Sequence, residues 1–301
     1  MKLRQLACFV AVVDEGSFTR AAQMLGLAQP SLSQQVRSLE QELGGPLVER
    51  LPRGVSVTPA GRALLPEARA ALRAAERGTR GVRAALQLEG GELEIATVLS
   101  LAVGFLPGTI RIWHEHYPTV AIRLHEFRHR RLLEDAVAQG IADLGIGPMP
   151  LREWDGPLEP VGWEQFVIVL PRADPLAGRR SVRVEELADR DWVLYHPDHG
   201  LAGIVEEVCR RAGFTPRGTV RTSQAEGAAR LAAAGLGPTL VPDNIVLPGL
   251  DGAVVRLDPP VTRDIVAYAR TEWSPTARAF VGLLNIGPPV ARPRGAVVMR
   301  L

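Results

Sequence analysis

Between residues 17 and 62 the chain carries two short helical periodicities followed by a basic Pro/Gly turn, and this run constrains the fold more than any other. Ser17 can cap a first helix, its hydroxyl accepting an orphan backbone N–H, and Ala21, Ala22 and Leu25 then form one apolar face. Gly26 stands where a left-handed residue would end that helix. Pro30 suits the first turn of the next one, where a missing N–H costs nothing. Leu32, Val36, Leu39 and Leu43 recur four, three and four apart, so they face a core together. Ser31, Ser33, Gln34, Arg37, Ser38 and Gln41 are left on the outer face. Hydroxyls, amides and guanidinium groups read base edges or hold phosphates, although an ordinary amphipathic helix would show the same pattern.

The next segment narrows the choice. Leu47–Arg50 and Val55–Thr58 read as strands around the turn Leu51-Pro52-Arg53-Gly54. A two-stranded wing beside a recognition helix would bring Arg50 and Arg53 to the DNA backbone or minor groove. An isolated hairpin is marginal in water, so this one must lean on the helices.

Together these motifs resemble the winged helix-turn-helix of the LysR-type transcriptional regulators. The match runs through Leu6, Phe9, Val13, Gly16-Ser17-Phe18-Thr19, Ala21-Ala22, Leu25, Gln29-Pro30, Leu32-Ser33, Leu39-Glu40, Leu43-Gly44, Leu47, Arg50, Arg53, Val57-Thr58 and Ala60-Gly61. The resemblance implies DNA contacts from Gln29, Pro30, Ser31, Ser33, Gln34 and Arg37 on the second helix and from Arg53 on the wing, to which the hairpin reading adds Arg50. Ala28, where many members have Ser, and Val48, where Phe is common, are departures that remove no base-reading group.

Charge agrees with a nucleic-acid partner at this end. Residues 1–90 hold 12 Lys or Arg against 8 Asp or Glu, whereas the whole chain of 301 residues is only +2. The length suits two or three domains. No charge-free apolar run is long enough to span a membrane and the start has no signal-peptide pattern, so a cytoplasmic protein with no membrane partner is expected. Cys8 and Cys209 make no disulfide framework, and residues 163–263 hold no second cysteine to resolve an oxidised Cys209.

Thr58-Pro59 opens a long helix expected to run to about Leu88. Leu64, Ala68, Ala71, Ala75, Gly78, Val82 and Ala85 repeat at four and three, a seam of small residues that lets two helices approach closely. A helix of roughly 30 residues spans about 45 Å, too long for one small winged-helix unit to cover. A dimerisation helix over 59–88 follows, with Pro66 and Gly78 as local weak points, and a homodimer or homotetramer as the assembly.

After a hinge at Gln87–Gly91, strand and helix patterns alternate to about residue 284, which implies α/β architecture. The family resemblance implies the arrangement: a DNA-binding domain over 1–58, then a two-lobed, periplasmic-binding-protein-like effector domain over 91–290. Lobe one would be about 91–162 with 264–290, and lobe two about 163–263. By family position the cleft wall would include Ser100, Leu101, Arg128, His129, Pro148, the stretch His196 to Leu201, Ser223 and Gln224. Ser100 and Ser223 each precede an expected helix, where free N–H groups favour an anion. The run Arg128-His129-Arg130-Arg131 reads either as an anion clamp or as a solvated basic helix start. The tail from Gly287 is rich in Pro, Gly and Arg, and residues 291–301 read as flexible.

Other chemistry finds no support. His114 and His116 lie two apart on a helix and point apart, a poor metal pair. There is no Gly-rich phosphate loop, nucleophile elbow or triad, so no catalytic residue, metal or cofactor is expected. A solute-binding protein would leave the amino-terminal motif idle. The expected function is a sequence-specific regulator on double-stranded DNA. A small effector, anionic if the basic run is a clamp, would modulate it, unless it acts without one. RNA polymerase is a further partner open to such a regulator.

Overall fold

The computed structural model describes residues 1–51, 54–85, 91–246, 248–284 and 291–300. The chain divides into two compact units, Met1–Gly91 with Gln139–Ile141, and Glu92–Ala138 with Ala142–Leu301.

The first unit packs three helices, α1 (Leu3–Glu15), α2 (Phe18–Met24) and α3 (Gln29–Leu43), against a hairpin of β1 (Val48–Leu51) and β2 (Gly54–Val57). Ser17 caps α2 by accepting from Arg20 N. Gly26, at φ 63°, closes it in the left-handed conformation that costs glycine no Cβ clash. Leu6, Phe9 and Val12 of α1 meet Ala21, Ala22, Leu32, Val36 and Leu39 in one core. Leu43 departs from the periodic expectation: it sits beside the terminal Gly44 and is 48% exposed, because the helix outruns the surface it packs on. The hairpin leans on α3 through Glu40, whose Oε1 accepts from Leu47 N at 2.9 Å and Val48 N at 3.3 Å.

Helix α4 (Pro59–Ala85) starts at Thr58, whose Oγ1 accepts from Gly61 N at 3.0 Å. Pro66 lies within the helix without ending it. Ala68 and Ala70 are buried, whereas Gly78 and Val82 are exposed. The remaining expected turn of helix and the hinge at Gln87–Gly91 fall largely outside the described residues.

The second unit is built around one mixed sheet. Parallel strands β3 (Glu92–Val98), β4 (Ala121–Phe127) and β5 (Leu144–Pro148) lie in the order β5-β3-β4. Helices α5 (Leu99–Gly104), α6 (Leu106–His116) and α7 (Arg130–Ala138) provide the connections. Two long strands, β6 (Leu158–Leu170) and β11 (Ala253–Tyr268), then run antiparallel from Leu158↔Tyr268 to Leu170↔Ala253. The expected lobe junctions at 162/163 and 263/264 therefore fall inside continuous strands. At its far end β11 pairs with β7 (Ser181–Val182), and β6 pairs with β10 (Thr239–Pro242). Strands β8 (Asp191–Tyr195) and β9 (Arg217–Thr222) form a parallel pair, with α8 (Ala202–Arg211) and α9 (Ala225–Ala233) packed nearby. Trp192, Tyr195, Ile204 and Cys209 belong to this lobe's core. The first lobe is closed by α10 (Pro275–Leu284), whose Phe280 lies against Trp113 with ring centroids 5.4 Å apart.

The carboxyl-terminal tail departs from the flexibility expected of it. Val297–Met299 form β12, parallel to Val261–Arg263 of β11, and Met299 is buried. Composition disfavours order here, but two valines and a methionine reach an apolar surface that only the folded lobe creates.

Candidate functional site

The exposed face of α3 carries Pro30, Ser31, Gln34 and Arg37 side by side along the helix. Gln29 is half-buried, and its Nε2 donates to Ser33 Oγ at 3.0 Å. Ser33 itself is buried, against the expectation that it faces outward. It follows Leu32 on the flank of the apolar seam, and a small hydroxyl there is covered by the Gln29 amide. The Arg50 side chain and the whole of Arg53 lie outside the described residues.

In the second unit a cavity of about 330 Å³ opens between the ends of β3, β4 and β5 and the segment leading into α8. Of the residues expected there, Ser100, Arg128, His129, Pro148 and Leu201 line it. Leu101, His196, Ser223 and Gln224 are not among its lining residues. Leu101 is fully buried, taken by the core. His196 turns to Asp198, 2.6 Å from its Nδ1. Ser223 and Gln224 follow β9, whereas the cavity is walled by the segment after β8.

Sequence reasoning missed Glu206 and Arg263, which line the cavity together with Arg130 of the basic run and with His199 of the 196–201 stretch. The lining thus carries three arginines and two histidines against one glutamate. Arg263 is 4% exposed and Glu164 2%, and they face each other across β11 and β6. Arg263 Nε donates to Glu164 Oε1 at 2.7 Å, and Asn244 Nδ2 donates to Glu164 Oε2 at 2.9 Å. The run Arg128–Arg131 divides between the two readings of the sequence: Arg130 is buried, whereas Arg131 is exposed.

His199 is the most informative of these groups. It is 5% exposed and stacks on Tyr195, ring centroids 4.8 Å apart. Its Nδ1 accepts from Leu201 N at 3.1 Å, so a neutral ring must carry its proton on Nε2. That Nε2 finds no hydrogen-bond partner among the described residues. Burial, opposed by Asp198 and reinforced by the guanidinium groups of Arg263 and Arg128, pulls the imidazole down to about 4. The ring is therefore neutral near pH 7, a buried donor awaiting an acceptor.

The rim is held across the opening by Gly200 N, which donates to Arg128 O at 2.9 Å, and by Arg128 Nη1, 3.3 Å from Asp198 Oδ2. Among the described residues no group of three or more His, Cys, Asp or Glu side chains comes together as a metal site, and no helix is long and apolar enough to cross a membrane.

Comparison with known proteins covers both units. Residues 3–62 match the model of the bacterial regulatory helix-turn-helix protein, lysR family, and residues 86–286 match that of the LysR substrate binding domain. The chain is 30% identical over 290 residues to the HTH-type transcriptional regulator AlsR of Bacillus subtilis, covering 95% of this chain and 96% of that one. It is 35% identical over 250 residues to a probable hydrogen peroxide-inducible genes activator of Streptomyces viridosporus, covering 81% of this chain and 78% of the relative. Among solved structures, a full-length OxyR variant from Pseudomonas aeruginosa superposes with a TM-score of 0.72 at 25% identity, covering 95% of each chain. A helix-turn-helix and an α/β effector-binding domain, matched in the same order along one polypeptide, make this chain a member of the LysR family of DNA-binding transcriptional regulators.

Proposed function

We propose that this regulator takes a small anionic effector into the cleft lined by Ser100, Arg128, His199 and Arg263, and that occupancy changes its hold on DNA. The observation that carries the reading is the imidazole of His199, buried with its Nε2 proton unpartnered among the described residues. A buried donor left unsatisfied costs about 1–3 kcal/mol, which a ligand acceptor would recover. The guanidinium of Arg263 beside it, and the basic balance of the lining, favour an acceptor that bears negative charge. A cavity of about 330 Å³ suits a metabolite of modest size.

DNA is read by α3, with Ser31, Gln34 and Arg37 as the side chains that reach the groove and Arg50 and Arg53 on the wing. The exposed residues in the second half of α4, Val82 among them, support a homodimer or homotetramer joined along that helix. Such a protein acts in the cytoplasm, where its DNA lies.

A peroxide-sensing role, suggested by the names of some relatives, is not favoured. The two cysteines lie in different units and both are buried. Burial raises both thiols, Cys209 to about 12, which suppresses the thiolate that reacts with peroxide.

The test is footprinting of the full chain on its own organism's DNA at stated salt, with and without fractionated small acids from cell extract. A discrete site whose occupancy shifts with an acidic fraction, and no longer shifts in His199→Phe, supports the reading. A site that no acidic fraction moves removes the anionic effector and leaves the DNA-binding assignment standing.

A further inference from the structure

We propose that the carboxyl-terminal strand is a strap that completes one wall of the cleft by holding Arg130 in place. The inference rests on reading the cavity as the effector site, and it adds to that site an element lying more than a hundred residues further along the chain than Arg130.

Arg130 opens α7 and is 6% exposed. Its Nη1 donates to Met149 O at 2.7 Å, and both terminal nitrogens lie 3.5 Å from Arg300 O. Its Nε has no hydrogen-bond partner among the described residues, and Glu134 Oε1 stands 3.8 Å away. A guanidinium carries five donors and keeps its charge at any ordinary pH, so its orientation follows its acceptors. Of these acceptors, one carbonyl belongs to the segment after β5 and the other follows the carboxyl-terminal strand. The residue borders two cavities at once. One is the cleft; the other, about 250 Å³, is lined by Met299 and Arg300.

The strand that leads to the Arg300 carbonyl is docked by its own chemistry. Met299 is buried in the second lobe's core, and the strand pairs Val261↔Val297 and Arg263↔Met299. Arg292 makes an ion pair with Asp264 on the next residue of β11. Docking therefore joins the stretch of β11 that bears Arg263 to the head of α7 that bears Arg130, two cleft residues far apart in sequence. If the strand leaves, Arg130 loses one of its two carbonyls and gains a route out of the wall. Arg300 acts here through its backbone oxygen, as a positioning group and not as a ligand contact.

Both directions of the link can be tested in the full chain without knowing the effector. Met299→Asp places an unpaired charge in the core and expels the strand. Phenylglyoxal, which labels accessible guanidinium groups, should then modify Arg130 about tenfold faster than in the unaltered protein, while Arg263 stays shielded in its pair with Glu164. Unchanged protection of Arg130 overturns the proposal. Should both arginines label, the lobe has opened as a whole, and the reciprocal measurement decides. In Arg130→Met, amide hydrogen exchange over 297–299 should quicken about tenfold with no change in β6; equal exchange in the strand overturns the strap. Neither readout involves an anion or DNA, so a failed strap leaves the cleft reading intact, and an absent effector leaves the strap intact.

Discussion

Glu164 and Arg263 face each other across the two strands that join the lobes, and both are almost wholly removed from solvent. Asn244 and the ring of Phe166, 5.6 Å from the guanidinium carbon, complete their surroundings. The pair occupies the part of the chain that must rotate if the lobes move, and Arg263 also borders the cleft. A charge pair taken out of water is held by its partner, and each group is costly alone.

Removing one member should therefore hurt more than removing both. Glu164→Gln is expected to destabilise the second unit by about 3 kcal/mol, because it strands a buried cation. The double variant Glu164→Met with Arg263→Met should recover most of that loss. Thermal or denaturant unfolding of these variants and of Arg263→Met alone checks this. Losses that simply add would mean that the two side chains act independently.

The depressed imidazole of His199 makes stability depend on pH. Its folded value, about 4, lies below the ordinary 6.5. Between those values the unfolded chain binds the proton that the folded one refuses, so this contribution is intact above 6.5 and is lost as pH falls toward 4. The span is on the order of 3 kcal/mol. The loss of stability between pH 7 and pH 4.5, read from denaturation curves, should be smaller in His199→Gln than in the unaltered protein. An identical pH dependence in the two would show that the ring does not titrate as its burial implies.

On α3, the helix proposed to read DNA, the exposed and buried residues should separate. Arg37→Ala is expected to lower affinity and reduce the slope of log K against log salt by about 1, the signature of one lost phosphate contact. Gln34→Ala should relax sequence preference. Ser33→Ala, at a buried position covered by Gln29, should leave direct contacts intact and act weakly through helix packing. Titrations at two salt concentrations distinguish these outcomes.

Gly104 closes α5 where a Cβ would collide with the backbone oxygen of Asn244. Gly104→Ala must push apart α5 and the turn Asp243–Ile245, and overpacking of this kind costs about 1–3 kcal/mol. The midpoint of thermal unfolding should fall accordingly. Gly203→Ala, where a Cβ meets open space, is the matched control.

The winged helix-turn-helix was legible because its information is local. Caps at Ser17 and Thr58, the left-handed Gly26 and the four-three spacing of Leu32, Val36 and Leu39 each act within a turn or two of chain. The cleft was legible in part. Ser100, Arg128, His129, Pro148 and Leu201 stand at element ends that an α/β alternation already marks. Arg263 was not, since nothing in an arginine amid β11 announces a cleft, and His199, inside the expected 196–201 stretch, gave no sign in sequence that it would be buried.

The order of helices and strands follows from periodicity and capping over short spans of chain, whereas the DNA-contacting role of α3 and the two-lobed plan were implied only by the family resemblance. Three features arose only on folding. Ser33 was buried beneath Gln29, Arg263 was set against Glu164 at a separation of 99 residues, and the carboxyl-terminal tail was drawn into a strand that brings the Arg300 carbonyl to Arg130. The physical reason is common to all three: the cost of burying or ordering each group is offset only by partners that the folded unit brings within reach, and no local pattern encodes their distance.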